Sequence, residues 1–129
     1  MSVNILAVVS AAVAGFLIGW GWYALFGKVW QRGVGDLELQ HRPAPYVFAA
    51  VANLLMAVIF SGVLFHTGMW TIRGGIISAA LLWAGFVLTT VTVNQSFQGR
   101  PASVIAIDAG HWLVVMVAIG GILGGFGPA

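Results

Sequence analysis

The chain has 129 residues, of which 60% are hydrophobic and only 6% charged, and its mean hydropathy is +1.02. A soluble domain is about 25% charged, so this composition cannot cover a water-facing surface, and it is too apolar for a disordered chain. Five Lys and Arg against three Asp and Glu, a net charge of +2, do not make the basic stripe that a nucleic-acid-binding face needs.

A membrane-spanning helix takes about 20 mostly apolar residues. The first such run covers 5–26. No positively charged region precedes it, so it reads as a retained span rather than a cleaved leader. Residues 27–44 form the longest connection and hold Lys28, Arg32, Asp36, Glu38, His41 and Arg42. The second run covers 45–65, and after a tight turn the third covers 72–93. A short polar connection leads to the fourth, at 101–123. None of them alternates as a membrane β-strand does. The expected fold is all-α and integral to the lipid bilayer. It is one domain over 1–129, with four transmembrane helices arranged as two helical hairpins.

The first and third connections share one end of such a bundle. They carry Lys28, Arg32, Arg42 and Arg100, leaving only Arg73 at the other end. Cytoplasmic loops are rich in Lys and Arg, which places that end in the cytoplasm and both termini outside. Trp20, Trp22, Tyr23 and Trp30 gather there and read as interface anchors.

Short motifs recur between the halves. Arg42-Pro43-Ala44 opens the second helix and Arg100-Pro101-Ala102 the fourth, while Ala14-Gly15-Phe16 in the first matches Ala84-Gly85-Phe86 in the third. Asn53 and His111 each stand eleven residues after the arginine of their motif. This spacing reads as two hairpins in the same orientation, a parallel internal repeat.

The informative residues of a membrane helix are its polar ones. Asn53 lies about 15 Å into the second helix, near the bilayer midplane. His111 reaches the same depth, and Asp108, three residues earlier, shares its face. A carboxylate at the bilayer centre costs about 2.5–3.5 kcal/mol. Asp108 should therefore face a cavity or pair with a cation, with His111 nearest and Arg100 or Arg42 reaching down. The alternative is that Asp108 caps a helix beginning at residue 109, with 101–107 in the interface. The length needed to span favours Asp108 inside the helix.

Asp108, His111, Asn53, Asn94, Thr89 and Arg100 are thus candidates for a transport or ion-binding site. Gly15 and Gly19, and Gly120 and Gly124, form small-residue ridges for close helix packing. Packing within one chain would use them too, but four short helices enclose little cavity of their own, so a homo-oligomer is expected. Zinc needs at least three protein ligands, so Asp108 and His111 do not make a metal site. No cofactor motif and no nucleophile–base pair is present, so an enzyme is not expected. Two readings remain. One is a transporter or channel-like oligomer acting on a small ion or solute. The other is a structural or accessory membrane subunit without transport activity.

Asn4 precedes the first helix, and Trp22-Tyr23, Phe26-Gly27 and Trp30 close it. Asn94, Phe97 and Gly99-Arg100-Pro101 lead to Ile107-Asp108 and Gly110-His111, and a glycine-rich run occupies 120–124. In this order of motifs the chain resembles the bacterial membrane family catalogued as domain of unknown function 1761 (DUF1761). The resemblance implies a compact four-helix protein of the bacterial inner membrane. It implies no activity.

Overall fold

In the computed structural model, which describes residues 3–35, 37 and 42–128, the four apolar runs are four helices. They are α1 (Ile5–Val34), α2 (Pro43–Thr67), α3 (Ile72–Phe97) and α4 (Ala102–Phe126). Each is long and apolar enough to cross a membrane, and among the described residues there is no strand. The protein is therefore an all-helical, multi-pass membrane protein.

Local chemistry sets the helix starts. Asn4 caps α1 by accepting from the Ala7 N–H at 3.2 Å, and Thr71 caps α3 through Gly74 at 2.9 Å. Such side chains satisfy amide groups that the first turn leaves unpaired. Proline opens α2 and immediately precedes α4, where its missing N–H costs nothing.

The expected connection at 27–44 is shorter than its charge implied. Helix α1 continues through Gly27 to Val34, so Lys28, Trp30 and Arg32 are helical. The reason is packing: Val34 is buried and Gly33 lies against Val104 at the start of α4. Thirty residues make a helix about 45 Å long, against a hydrocarbon core of about 30 Å. The last turns therefore stand among the headgroups, with Lys28 and Arg32 exposed. The chain leaves the helix at Gly35, whose φ of 68° suits glycine. Asp36, Glu38 and His41 lie outside the described residues. The polar connection expected at 94–100 likewise shortens, because α3 runs on to Phe97.

Helix α4 is the centre of the bundle. Both α1 and α3 pack mainly against it, and α2 packs on α1. The apolar core, including Ala11, Phe60, Leu64, Val115, Ile119 and Leu123, fills the half away from the α1–α2 connection. There α3 and α4 meet backbone to backbone. A Cβ on Gly75 or Gly120 would fall on the other's carbonyl oxygen, and one on Gly124 would fall on that of Thr71. On α1, Gly15 faces the Asn53 side chain and Gly19 the His111 ring. Both glycine ridges are thus occupied inside the chain.

Helix α3 is not regular. Residues Trp83–Val87 form a π-helical turn, in which the Leu88 N–H donates to the Trp83 carbonyl. Each α-helical residue turns about 100°. The twelve steps from Trp83 to Gln95 would leave those side chains about 120° apart in a plain helix. The π turn absorbs one step and brings them within about 20° of each other. Both then face α4: the Trp83 indole donates to the Ala109 carbonyl at 2.8 Å, and the Gln95 amide donates to Asp108.

Candidate functional site

Asp108 lies inside α4, in its second turn, and is half-buried. The alternative in which it caps a helix starting at residue 109 is thereby excluded. Each carboxylate oxygen accepts one hydrogen bond. The Tyr23 hydroxyl of α1 donates to Oδ1 at 2.5 Å, and the Gln95 amide of α3 donates to Oδ2. The first distance is at the short end for a hydroxyl donating to a carboxylate. Three helices are thus joined at one acidic group, whose partners are neutral donors rather than Arg42, Arg100 or His111.

His111, one turn further along α4, also meets Tyr23 of α1. Its ring lies 5.3 Å from that of Tyr23 and 4.5 Å from that of Trp112, centroid to centroid. Nε2 sits over Gly19, where a Cβ would come within 2.8 Å of it. Nδ1 is buried with no hydrogen-bond partner. Asn53 lies one level away. Its amide donates to the Ala49 carbonyl of its own helix at 2.8 Å, and its Oδ1 is buried against Gly15 without a partner. The two residues related by the eleven-residue spacing therefore converge on successive glycines of α1.

Asn53 and His111 also line a cleft of about 570 Å³ between α1 and α2, floored by α4. Gly15 and Gly19, with Ala49 and Ala52, leave the space, and Phe16, Trp20, Tyr23 and Trp112 give it aromatic walls. Tyr23 thus touches both the cleft and Asp108.

The other sequence candidates lie apart. Thr89 and Asn94 are exposed on α3, and the Thr89 hydroxyl donates to its own helix at Gly85. Arg100 is half-buried beside Pro101 and does not reach Asp108. Among the aromatic residues expected as anchors, Trp20 is 68% exposed and suits that place. Trp22 and Tyr23 are half-buried and bonded to α4: the Trp22 indole donates to the Ile107 carbonyl at 3.0 Å and the Tyr23 hydroxyl to Asp108. Trp30 is half-buried as well, and its indole Nε1 is buried without a hydrogen-bond partner.

Gln95 is the residue that sequence reasoning missed as a site member. Its polarity and its place just before a short connection were visible. Its direction was not, because a plain helical wheel points it away from the Trp83 face.

Comparison with curated proteins and with solved structures finds no match. One family model matches, described as a protein of unknown function, DUF1761, over residues 6–124. The match runs from the first turn of α1 to the last turn of α4 and takes in Tyr23, Gln95, Asp108 and His111. The chain belongs to the DUF1761 family.

Proposed function

We propose that this membrane protein moves protons or a small cation, with Asp108 as the group that takes up and releases the charge. The observation that carries the reading is a carboxyl within a spanning helix whose two partners are both neutral donors. A charged group at that depth is expensive, and such groups mark ion and proton paths more often than they serve packing. Tyr23 lines the cleft and donates to Asp108, so it joins the two.

Proton flux into liposomes tests it. The wild type should conduct, and Asp108→Asn, close in shape, should lose the flux while eluting as a folded protein. Flux surviving in that variant would sink the reading.

A structural role is the second reading, favoured by a different observation. The indoles of Trp22, Trp83 and Trp70 each donate to a carbonyl of α4, at Ile107, Ala109 and Leu123. In this reading the Asp108 network is one more clamp on that helix, and no flux appears in either protein. Association of copies would use surfaces other than the occupied glycine ridges, such as the outer face of α3 with Ile77, Leu81 and Phe86 exposed.

The reading includes an orientation with Lys28 and Arg32 in the cytoplasm. The chain has no cysteine, so single replacements report directly. An impermeant maleimide on intact cells should label Arg73→Cys and spare Lys28→Cys. The opposite pattern would reverse the topology.

A further inference from the structure

The cleft between α1 and α2 has a chemistry of its own. Its volume of about 570 Å³ falls in the range of about 300–1,000 Å³ typical of small-molecule sites. Its rim faces lipid: Trp20 is 68% exposed and Phe48 72%. Its interior contains two polar side chains that are more than nine-tenths buried, Asn53 at 3% exposure and His111 at 8%. Each has a polar atom without a partner, Asn53 Oδ1 and His111 Nδ1.

Depth decides among occupants. Pro45 and Tyr46 mark the end of the cleft near the start of α2, whereas Asn53 lies eight residues past Pro45, about 12 Å further in. A phospholipid keeps its polar head at the interface and would bring only methylenes to His111 and Asn53. Buried polar groups left without partners are costly. A charged, water-soluble solute has no counterpart in walls of Phe16, Trp20 and Trp112. The molecule that fits is soluble in lipid, uncharged, planar enough to lie against those rings, and able to carry an oxygen to mid-membrane. Imidazole both donates and accepts, so that oxygen is a carbonyl or a hydroxyl.

We infer that the cleft is a binding site for a neutral, lipid-soluble ring compound bearing a carbonyl or hydroxyl oxygen, held by a hydrogen bond to His111. Site and occupant stand whether or not Asp108 carries protons, because binding is read without flux.

The test uses the full-length chain in phosphatidylcholine nanodiscs and follows thermal unfolding. A ligand that binds the folded state raises the unfolding temperature in proportion to its occupancy. The probes are menadione, a ring with carbonyl oxygens, methylnaphthalene, a similar ring without them, and dodecanol, a hydroxyl on a chain. The protein offers no thiol for menadione to alkylate. Menadione should protect saturably, with methylnaphthalene and dodecanol each about tenfold weaker, the worth of about one good hydrogen bond or ring contact. His111→Leu should bring menadione down to methylnaphthalene. Ala49→Phe, which fills the cleft from α2, should abolish protection by both. Equal protection by menadione and methylnaphthalene would overturn the role of His111, and dodecanol matching menadione would make the cleft an alkyl-chain groove. Comparison of the three probes on the wild type decides the point even if a variant fails to fold.

Discussion

Alanine at Gly120 is expected to destabilise the protein by about 2–3 kcal/mol, the upper part of the range for overpacking. Alanine at Gly121, one residue along, should be neutral or gain up to about 1 kcal/mol from helix propensity. The two glycines look alike in sequence. In the fold, a Cβ on Gly120 would fall on the Gly75 carbonyl and lie 2.8 Å from the Phe60 ring. A backbone oxygen cannot swing aside, so α3 and α4 would have to separate. A Cβ on Gly121 would meet only the flexible end of Ile76, at 3.6 Å, an ordinary contact. Unfolding in mixed detergent, compared across the two variants, measures the difference. Equal losses would mean that the α3–α4 crossing is not at Gly75 and Gly120.

A second large effect is expected at the π turn. Removing Gly85 should turn Trp83–Val87 into plain α-helix while leaving Gln95 on the face of Trp83, since eleven steps then separate them. A Cβ at Gly85 would meet nothing within 4 Å, so its loss removes no side-chain packing. The deletion should therefore be tolerated within about 1 kcal/mol. Inserting one alanine after Gly85 should instead swing Gln95 about 100° away from Asp108. The cost should be the worth of a hydrogen bond to a charged group, about 1.5–3 kcal/mol. In a Gln95→Leu background the insertion should cost little more, because the shared bond is already gone. A deletion as damaging as the insertion would refute the geometric role of the turn.

Much of this architecture is legible in the sequence because lipid imposes a simple rule. Each spanning helix must be long and apolar, so hydropathy alone finds all four. Asp108 is legible as an internal residue by the same rule, since the fully apolar stretch after His111 is too short to cross by itself. The helix ends are less legible. Charge at Lys28 and Arg32 resembles a loop, yet a helix that outruns the bilayer can carry charge on its final turns. The roles of Trp22 and Tyr23 were hidden for a related reason. An aromatic ring with a polar edge suits both the membrane interface and a buried clamp, and only the neighbouring helix decides between them. Gln95 was hidden by geometry, because a π turn changes the phase of every residue after it. Counting placed Asn53 and His111 at the same depth, but they meet α1 one turn apart, at Gly15 and Gly19, and that offset required knowing how α1 packs.

The central place of α4 bears on how the protein is made. It is the last of the four helices to leave the ribosome, yet α1 and α3 pack mainly against it. Until it enters the bilayer, the indoles of Trp22, Trp70 and Trp83 lack their acceptors, and Tyr23 and Gln95 lack Asp108. The α1–α2 pair can form early, but α3 must wait in the lipid with its glycine face uncovered. Biogenesis therefore ends in one cooperative closing step, and a nascent chain released before α4 emerges would leave three inserted helices that quality-control proteases can recognise by their unpaired polar groups.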